Sequence, residues 1–252
     1  MNWTLHFLGV GAAHAVELGS SSVVLERNGE PLLLVDCGPD VLDRYMAAYG
    51  KPPGAVYITH THMDHVGGLE RLFFRLWFDD ALKGRTRVFV HAGLLPWLQT
   101  RVADYPNVLA EGGVNFWEAF QLVTVTRGFW LDGLWFDVFP TRHHMLGTSY
   151  GIALEGCFAF TGDTRPVPEV LERFASGREL IAHDCGLVGN PSHTGVDDLE
   201  REYSPVLRQR LCLYHYGSAA DGATLAGMGY RVAQPGERVL LTAPAPLRPD
   251  AG

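Results

Sequence analysis

Four potential metal ligands lie within six consecutive positions in the first third of the chain. Directly after a short buried strand predicted at 55–59 come His60, His62, Asp64 and His65. Residues two positions apart in an extended segment project to the same side, so the first two imidazoles can face one ion together. Imidazole and carboxylate groups are ligands that suit Zn²⁺, Mn²⁺ and Fe²⁺. The cluster therefore predicts a transition-metal site rather than a polar loop of unrelated histidines.

Polar residues at the ends of other predicted strands extend this pattern. A short apolar segment precedes each of five such residues: Asp36, His60, Asp163, Asp184 and His215. In layered α/β folds, binding and catalytic residues collect along the edge of the sheets where strands end. We therefore expect these side chains to meet the histidine cluster at one edge.

Hydrophobic periodicity predicts the elements that position these residues. The predicted strands are 3–10, 23–26, 32–35, 55–59, 87–91, 119–127, 134–142, 149–155, 159–161, 180–182 and 211–214. The predicted helices are 41–49, 67–82, 94–103, 167–174 and 197–202. We expect one domain over 1–242, with the strand-rich segment 119–163 in its second half. The Pro/Ala-rich tail, 243–252, is expected to be frayed.

Composition limits the class of protein. A chain of 252 residues, 47% hydrophobic, suits one large α/β domain with a sizeable core. No apolar run approaches the ~20 residues of a membrane helix, and the N-terminal segment lacks the basic region of a signal peptide. Four scattered cysteines indicate reduced thiols in a cytoplasmic protein.

The charge pattern bears on partners. A formal charge of −8 without a Lys/Arg cluster argues against a long nucleic acid, which needs a basic face. A small charged substrate can still be attracted by bound metals. We expect a phosphorylated small molecule and no membrane partner. The aromatic residues within 116–136 are candidates for a homodimer surface or a pocket wall, although core packing is the more ordinary explanation.

The cluster in 60–65 matches the HxHxDH signature and so resembles the metallo-β-lactamase superfamily. Downstream ligands of that family have counterparts in order: a histidine at 143–144, Asp163 in Thr-Gly-Asp-Thr, and His215 in Tyr-His-Tyr-Gly. Four further motifs resemble the branch that contains RNase Z and small phosphodiesterases. They are Leu8-Gly9-Val10-Gly11, Ser20-Ser21-Ser22, Val35-Asp36-Cys37-Gly38 and Ser149-Tyr150-Gly151. The resemblance covers about residues 3–217.

This resemblance implies a four-layer αβ/βα sandwich, in which two mixed β-sheets are flanked by helices. It also implies two divalent metal ions per chain, with Zn²⁺ favoured over Mn²⁺ or Fe. By the resemblance, the first ion takes His60, His62 and a histidine of the 143–144 pair, and the second takes Asp64, His65 and His215. Asp163 would bridge the ions, which would share a water or hydroxide.

The third histidine ligand of the first ion is left open between neighbours. The position of Pro140 resembles one family spacing and favours His143, whereas the distance to Ser149-Tyr150-Gly151 favours His144. In a continuing strand the two side chains would point to opposite faces. We take His144 as the predicted ligand and His143 as the alternative.

Two residues are expected to take part in catalysis. Asp64 is one, in addition to its role as a ligand. The other is His193, because Ser192-His193-Thr194 resembles a His-Ser/Thr element that lies near the metals in the RNase Z-like branch. There the histidine can donate a proton to the leaving group. The alternative is an ordinary loop histidine.

Supporting roles are predicted for four more residues. Asp36 would orient a ligand imidazole, as outer carboxylates commonly do, or stabilise a turn. His183 and Asp184 match a position that supports the element around His193. Arg165 directly follows Thr164 in the Asp163 segment and would meet a phosphate or carboxylate, or form a surface salt bridge.

The spacing between ligands favours a small substrate. RNase Z-like tRNA processing enzymes carry a long arm between the third histidine ligand and the bridging aspartate. Only 19 positions separate His144 from Asp163, which leaves room for a strand hairpin. We predict a phosphodiesterase that acts on a small phosphodiester, cyclic phosphate or cyclic nucleotide through a metal-bridging hydroxide. The alternative is a thioester or lactone hydrolase resembling glyoxalase II. A tRNA 3′-processing endonuclease and a non-catalytic ligand-binding protein are less favoured.

Overall fold

Two β-sheets of seven strands each face one another in the computed structural model, which describes residues 1–104, 109 and 112–245. The strands in chain order are β1 (Trp3–Gly9), β2 (Ser22–Arg27), β3 (Glu30–Val35), β4 (Ala55–Ile58), β5 (Thr86–His91), β6 (Phe120–Val125), β7 (Gly128–Leu131), β8 (Leu134–Pro140), β9 (Tyr150–Leu154), β10 (Phe158–Phe160), β11 (Leu180–Asp184), β12 (Leu211–Tyr214), β13 (Arg231–Val232) and β14 (Arg238–Leu241). The first sheet has the order β14-β1-β2-β3-β4-β5-β6, and the second has the order β13-β12-β11-β10-β9-β8-β7.

Helices cover the outer faces of the two sheets. They are α1 (Val41–Tyr49), α2 (Met63–Val66), α3 (Leu69–Trp77), α4 (Leu95–Leu98), α5 (Pro168–Phe174), α6 (Val196–Glu202), α7 (Pro205–Arg208) and α8 (Ala219–Gly227). Leu42 of α1 and Leu72 of α3 share one core cluster with Val56 of the first sheet, while Leu171 of α5 and Leu199 of α6 belong to the cluster of the second sheet. The predicted four-layer αβ/βα sandwich is therefore confirmed.

Alternation along the first sheet explains how one strand serves two cores. In β4, Tyr57 belongs to the core between the sheets, whereas Val56 and Ile58 belong to the core under the helices. Successive strand residues point to opposite faces, so a continuous apolar strand can be buried on both. This double burial fixes the direction in which the chain leaves β4, and with it the position of the histidines in the next segment.

Several elements differ from the sequence-based prediction. Strand β6, within the predicted segment 119–163, belongs to the first sheet because it pairs in parallel with β5. Strand β7 was not predicted; it forms a hairpin with β8 through Asp132 and Gly133, both at positive φ. Two-residue turns of that kind match the twist of antiparallel strands. Elements α7, α8, β13 and β14 were not predicted, and β14 returns the chain to β1.

The predicted helices 67–82 and 94–103 are shorter in the structure. The first is limited to α3, and the second contains only α4, flanked by a 3₁₀ turn and the π-helical segment Gln99–Ala103. Of the tail predicted to be frayed, 246–252 lie outside the described residues. Ala245, by contrast, donates its backbone N–H to the carbonyl of Glu155 at 2.8 Å. Within the described part of the chain, no helix combines the length and apolar character needed to cross a membrane.

The aromatic residues of 116–136 are mostly core residues. Phe116, Phe129 and Phe136 are buried, while Trp130 exposes 49% of its surface. The ordinary explanation, core packing, therefore holds for these phenylalanines. The four cysteines are all buried and free.

Candidate metal-dependent active site

Strand ends of both sheets supply the candidate site. In the first sheet, β3 and β4 are parallel and end just before Asp36 and the segment 59–65. In the second sheet, β10, β11 and β12 are parallel, and they deliver Asp163, Asp184 and His215. Because the carboxyl ends of parallel strands lie at one edge, the predicted convergence of these side chains is observed.

The first group of potential ligands contains three histidines and an aspartate. Potential ligand atoms of His60, His62, His143 and Asp163 all lie within 4.8 Å of one another. His62 Nδ1 is 3.2 Å from His60 Nε2 and 3.1 Å from His143 Nε2. His60 Nε2 is 3.6 Å from the Asp163 carboxylate. Three imidazoles and one carboxylate converging on one point form a donor set suited to a divalent transition metal.

A second group shares the same aspartate. Asp64, His65, Asp163 and His215 also place one potential ligand atom each within 4.8 Å of the others. Asp163 Oδ2 lies 3.4 Å from His65 Nε2 and 3.3 Å from His215 Nε2. Asp64 Oδ2 lies 3.5 Å from His65 Nε2 and 3.9 Å from His215 Nε2. Asp163 thus stands between the two groups, where a bridging ligand would stand.

Unsatisfied buried atoms test whether metal ions fit this arrangement. His65 Nε2, His215 Nε2 and Asp163 Oδ1 are buried and have no hydrogen-bond partner among the described residues. Buried polar groups are nearly always satisfied, since an orphaned one costs free energy. All three atoms belong to residues of the second group, and the two imidazole nitrogens lie 3.4 and 3.3 Å from Asp163 Oδ2. The residues present therefore fit a pair of divalent cations.

Burial and the neighbouring carboxylates perturb the pKa values of the imidazoles. Burial holds the pKa of His60 well below its usual value and lowers that of His143 to about 4, so both rings stay neutral. Burial would also lower the pKa of His215, but the Asp163 and Asp184 carboxylates outweigh it and raise this pKa to about 10. Neutral imidazoles are the form that binds metal, so these two rings of the first group are already in their ligating state.

Asp36 holds His65 in place from behind. Its Oδ2 accepts a hydrogen bond from His65 Nδ1 at 2.7 Å and another from Thr59 Oγ1 at 2.7 Å, while Oδ1 accepts one from the Thr59 N–H at 2.8 Å. With Nδ1 carrying the proton, His65 presents Nε2 to the metal side. These are the contacts that an orienting role requires. The segment after β3 also packs closely against the segment that carries Asp64, because a Cβ on Gly38 would lie 2.0 Å from the Asp64 carbonyl oxygen.

Asp184 plays a comparable part in the second sheet. Its Oδ2 accepts hydrogen bonds from the Thr164 N–H at 2.9 Å and from His193 Nδ1 at 2.8 Å. Its Oδ1 is 3.4 Å from His215 Nδ1. Burial would raise the pKa of Asp184, but His215 and the hydrogen bond from His193 outweigh it and lower this pKa. One buried carboxylate therefore orients both histidines.

His193 lies beside the two groups and is half-buried. Its ring stacks on that of His215 with centroids 4.8 Å apart, and its Nδ1 is 4.0 Å from the Asp163 carboxylate. Since Nδ1 is bonded to Asp184, Nε2 is the nitrogen left to face a substrate. The structure thus brings His193 to the site, where a proton donor would have to be.

Of the two candidate histidines, the structure brings His143, the alternative, and not His144 into the first group. Strand β8 ends at Pro140, so the alternation of a continuing strand does not apply, and His144 adopts a left-handed backbone with φ of 54°. Its exposed ring turns to the Ser192 hydroxyl, 3.1 Å from Nδ1. His143 is buried and donates from Nδ1 to the Ser192 carbonyl at 3.0 Å, which directs Nε2 to the first group. His143 is therefore the histidine of the pair whose ring lies with the other potential ligands of the first group.

Two predicted supporting residues do not reach the ligand groups. His183 is fully buried, with Nε2 2.6 Å from the Tyr203 hydroxyl. Arg165 forms an ion pair with Asp198, at 2.5 and 3.1 Å, and donates to the His193 carbonyl at 3.0 Å. Of its two predicted roles, the structure places Arg165 in the salt bridge. There it fixes the loop that carries His193.

A cavity of about 150 Å³ beside the first ligand group contains residues that sequence reasoning missed. Besides the imidazoles, it is lined by Trp97, Arg101 and Met145. None of them belongs to a recognisable motif. They could not be selected in advance because only the fold brings the segment after β5 and the turn after β8 to the same opening.

Comparisons with known proteins agree with this geometry. A family model described as "Anti-Pycsar protein Apyc1" matches residues 3–237. A curated protein of that name from Paenibacillus harenae is 28% identical over 225 residues, covering 86% of this chain and 91% of its own length. A ribonuclease Z from Mycobacterium sp. (strain KMS) is 30% identical over 247 residues, covering 89% and 81%. The crystal structure of the metallo-β-lactamase fold protein YhfI from Bacillus subtilis superposes with a TM-score of 0.70 at 14% identity, covering 95% and 100%.

Proposed function

The chain belongs to the family of the anti-Pycsar protein Apyc1, within the metallo-β-lactamase fold, and from that membership we propose that this metal-dependent phosphodiesterase hydrolyses a small cyclic phosphodiester, with a cyclic nucleotide as the favoured substrate. The observation that carries the proposal is the pair of ligand groups that share Asp163. The expected metal-dependent phosphodiesterase and the resemblance to the RNase Z-like branch of the metallo-β-lactamase superfamily are both confirmed.

Within this proposal, His60, His62, His143 and Asp163 hold one ion, and Asp64, His65, Asp163 and His215 hold the other. When bound, two such ions supply an activated water and charge compensation for the phosphodiester oxygens. The predominance of imidazole over carboxylate across the two groups taken together favours Zn²⁺, with Mn²⁺ or Fe as alternatives. Asp163 also adds a negative charge where two cations would otherwise repel each other.

The proton for the leaving oxygen would come from His193. Its Nδ1–H is fixed by Asp184 at 2.8 Å, so a second proton on Nε2 can be delivered toward the space beside the ligand groups. Asp64 would act in catalysis only indirectly, as a ligand of the second ion. Its carboxylate lies beside the His65 and His215 rings, which hold it in position. In this proposal the His193 Nε2–H bond breaks as an O–H bond forms on the leaving oxygen, and neither residue forms a covalent intermediate with the substrate.

The size of the site supports a small substrate. Between His143 and Asp163 the chain forms a turn and the β9–β10 hairpin, in which residues 152–154 pair with residues 158–160. The cavity next to the first group, at about 150 Å³, fits part of a small molecule. A formal charge of −8 does not favour a polynucleotide. We further expect the protein to act in the cytoplasm, where its four buried cysteines would stay reduced.

The test is a substrate panel run on protein of known metal content. We expect about two divalent ions per chain, and hydrolysis of 3′,5′-cyclic AMP and bis(p-nitrophenyl) phosphate but not of a thioester or a lactone. Chelation should abolish turnover, and Zn²⁺ or Mn²⁺ should restore it. Turnover of the thioester or lactone alone, or full activity after chelation, would contradict the proposal.

The variant His62→Ala tests the assignment of ligands to the first ion. Because His62 Nδ1 contacts both His60 and His143, its loss should remove the first ion and nearly all activity. His144→Ala removes an imidazole of the same type on the neighbouring turn, which is exposed and bonded to Ser192. That variant should keep both ions. A fully active His62→Ala protein with stoichiometric metal would refute the ligand assignment.

A further inference from the structure

Two chemically different sets of residues line the cavity beside the first ligand group. One set is the imidazoles, among them the three of the first ligand group, which would hold a metal ion. The other set is Trp97 and Arg101, from the segment after β5, and Met145, from the turn after β8. A site built only to bind metal and phosphate would not need an indole and a thioether at the same opening.

The exposure of Trp97 results from how its helix is anchored. Leu94 and Leu98, on either side of it in the chain, are fully buried in the core under the first sheet. This anchoring leaves the indole on the opposite side, where 53% of its surface is exposed. Met145 is likewise 64% exposed. Two large apolar side chains left in water at a functional opening indicate a surface that becomes covered when a ligand binds.

Arg101 adds a positive charge at the same opening. It lies four positions after Trp97, is exposed, and takes part in no ion pair with a carboxylate among the described residues. Several exposed arginines elsewhere are paired, as Arg71 is with Asp43 at 2.7 Å. A cation at the edge of a cavity that has no ion-pair partner among the described residues, in a chain of net charge −8, can attract an anionic ligand.

We propose that Trp97, Met145 and Arg101 form a base-binding subsite, in which the heterocycle of a nucleotide stacks on Trp97 while its phosphodiester lies at the ligand groups. This inference rests on the proposed function and specifies its substrate as a nucleoside cyclic phosphate rather than a cyclic phosphate without a base. Stacking on an indole uses the π-face that every base has, so it selects for a base without choosing among bases. Purine and pyrimidine substrates should therefore both be accepted. Arg101 supplies attraction to the anionic ester.

The decisive experiment compares substrates with and without a base. Trp97→Ala should raise KM for 3′,5′-cyclic AMP and 3′,5′-cyclic CMP by about 10- to 100-fold, the loss typical of one stacked base, and leave kcat near its original value. For 1-deoxyribose 3′,5′-cyclic phosphate, which has no base, the same variant should behave as the unmodified protein. Trp97→Phe, which keeps an aromatic face, should restore most of the lost affinity. Metal content should be unchanged in both variants.

Trp130→Ala is the matched control, since Trp130 is 49% exposed but lies on β7, outside this cavity. It should leave all three KM values unchanged. Arg101→Gln should raise KM about 3- to 10-fold at low salt for substrates with and without a base, an effect that high salt removes. Arg127→Gln, at another exposed arginine outside this cavity, should have no such effect.

Dissociation constants measured by calorimetry in a His193→Ala background separate binding from turnover. Weaker binding of cyclic nucleotide after Trp97→Ala, with unchanged binding of the base-free ester, supports the subsite. Equal losses for both ligands, or no loss for either, would overturn it. Failure of the proposed function is distinguishable, because it would appear in the unmodified protein as metal-loaded chain that hydrolyses no phosphodiester.

Discussion

Replacing His193 by alanine tests how the site treats the leaving oxygen. In the structure this ring is bonded to Asp184 through Nδ1 at 2.8 Å, and that nitrogen is 4.0 Å from the Asp163 carboxylate. The His193 ring is therefore close to both ligand groups, but it is not a member of either group that we assign to an ion. A proton donor and a metal ligand would respond differently to its removal.

General acid catalysis contributes about 10²–10⁴-fold in rate. We expect His193→Ala to keep both ions and to lose about that factor on a cyclic nucleotide, whose leaving group is a sugar hydroxyl. Because p-nitrophenolate departs readily without a proton, hydrolysis of bis(p-nitrophenyl) phosphate should fall by less than about tenfold. The assay is kcat for both substrates, with metal content measured on the same samples. Added imidazole should restore part of the lost rate on the cyclic nucleotide.

His144→Ala is the matched control for this experiment, because its exposed ring contacts Ser192 on the same loop. It should leave the ratio of the two rates unchanged. If His193→Ala lowers both rates equally, or loses an ion, the residue binds metal or supports the fold and the assignment of proton donor is wrong. If neither rate changes, His193 is an ordinary loop histidine.

Three further predictions address the ligands and the core. His143→Ala should lose about one ion per chain by elemental analysis, whereas His144→Ala should lose none; the reverse result would restore the sequence-based preference. Asp36→Asn removes the charge that orients His65 and should weaken metal affinity about 10- to 100-fold in a chelator competition, and unchanged affinity would contradict that role. Burial lowers the pKa of His6 to about 4, against about 6.5 in an unfolded chain, so the unfolded state binds more protons between these values. The free energy of unfolding should therefore fall as pH is lowered from about 6.5 to 4, and chemical denaturation should show a smaller fall in His6→Asn.

The candidate metal ligands near the start of the chain were predictable because their signal is local. His60, His62, Asp64 and His65 come after one buried strand, and β4 was predicted to within a residue of its end. The direction of a short strand also fixes the direction in which the next few residues leave it. The convergence of strand ends could be predicted as well, since parallel strands of one sheet end at the same edge.

The choice between His143 and His144 could not be predicted because it depends on a turn. Their order along the chain says nothing about where β8 stops, and alternation applies only while the strand continues. The decisive contacts come from Ser192, 49 and 48 positions away, which binds the two rings through its carbonyl and its hydroxyl. The role of Arg165 could not be predicted for the same reason, because its ion-pair partner Asp198 lies far along the chain, on α6.

Hydrophobic periodicity also could not predict which strand belongs to which sheet. β6 and β8 have similar apolar content, yet β6 joins β5 in the first sheet and β8 joins β7 and β9 in the second. Alternation shows that a strand has two faces but does not identify its neighbours. The residues around Trp97 were missed for a related reason: exposure is decided by which face of a short helix the core covers, and the pattern of α4 is too brief to show it.

Backbone strain at the site explains why asparagine, rather than glycine, is the informative replacement for Asp36. Asp36 and His215, one after β3 and one after β12, adopt left-handed conformations with φ of 63° and 66°. Such a conformation costs about 1–2 kcal/mol for most side chains, but aspartate, asparagine and histidine tolerate it better. Asp36→Asn therefore keeps the turn, while it removes the negative charge facing His65 and replaces one of the two accepting oxygens by an amide nitrogen that cannot accept a hydrogen bond. Asp36→Gly would instead relax the backbone and remove the side chain together. A loss of metal affinity in Asp36→Asn with an unchanged free energy of unfolding would locate the effect in the carboxylate. A matching loss of stability would instead place it in the turn.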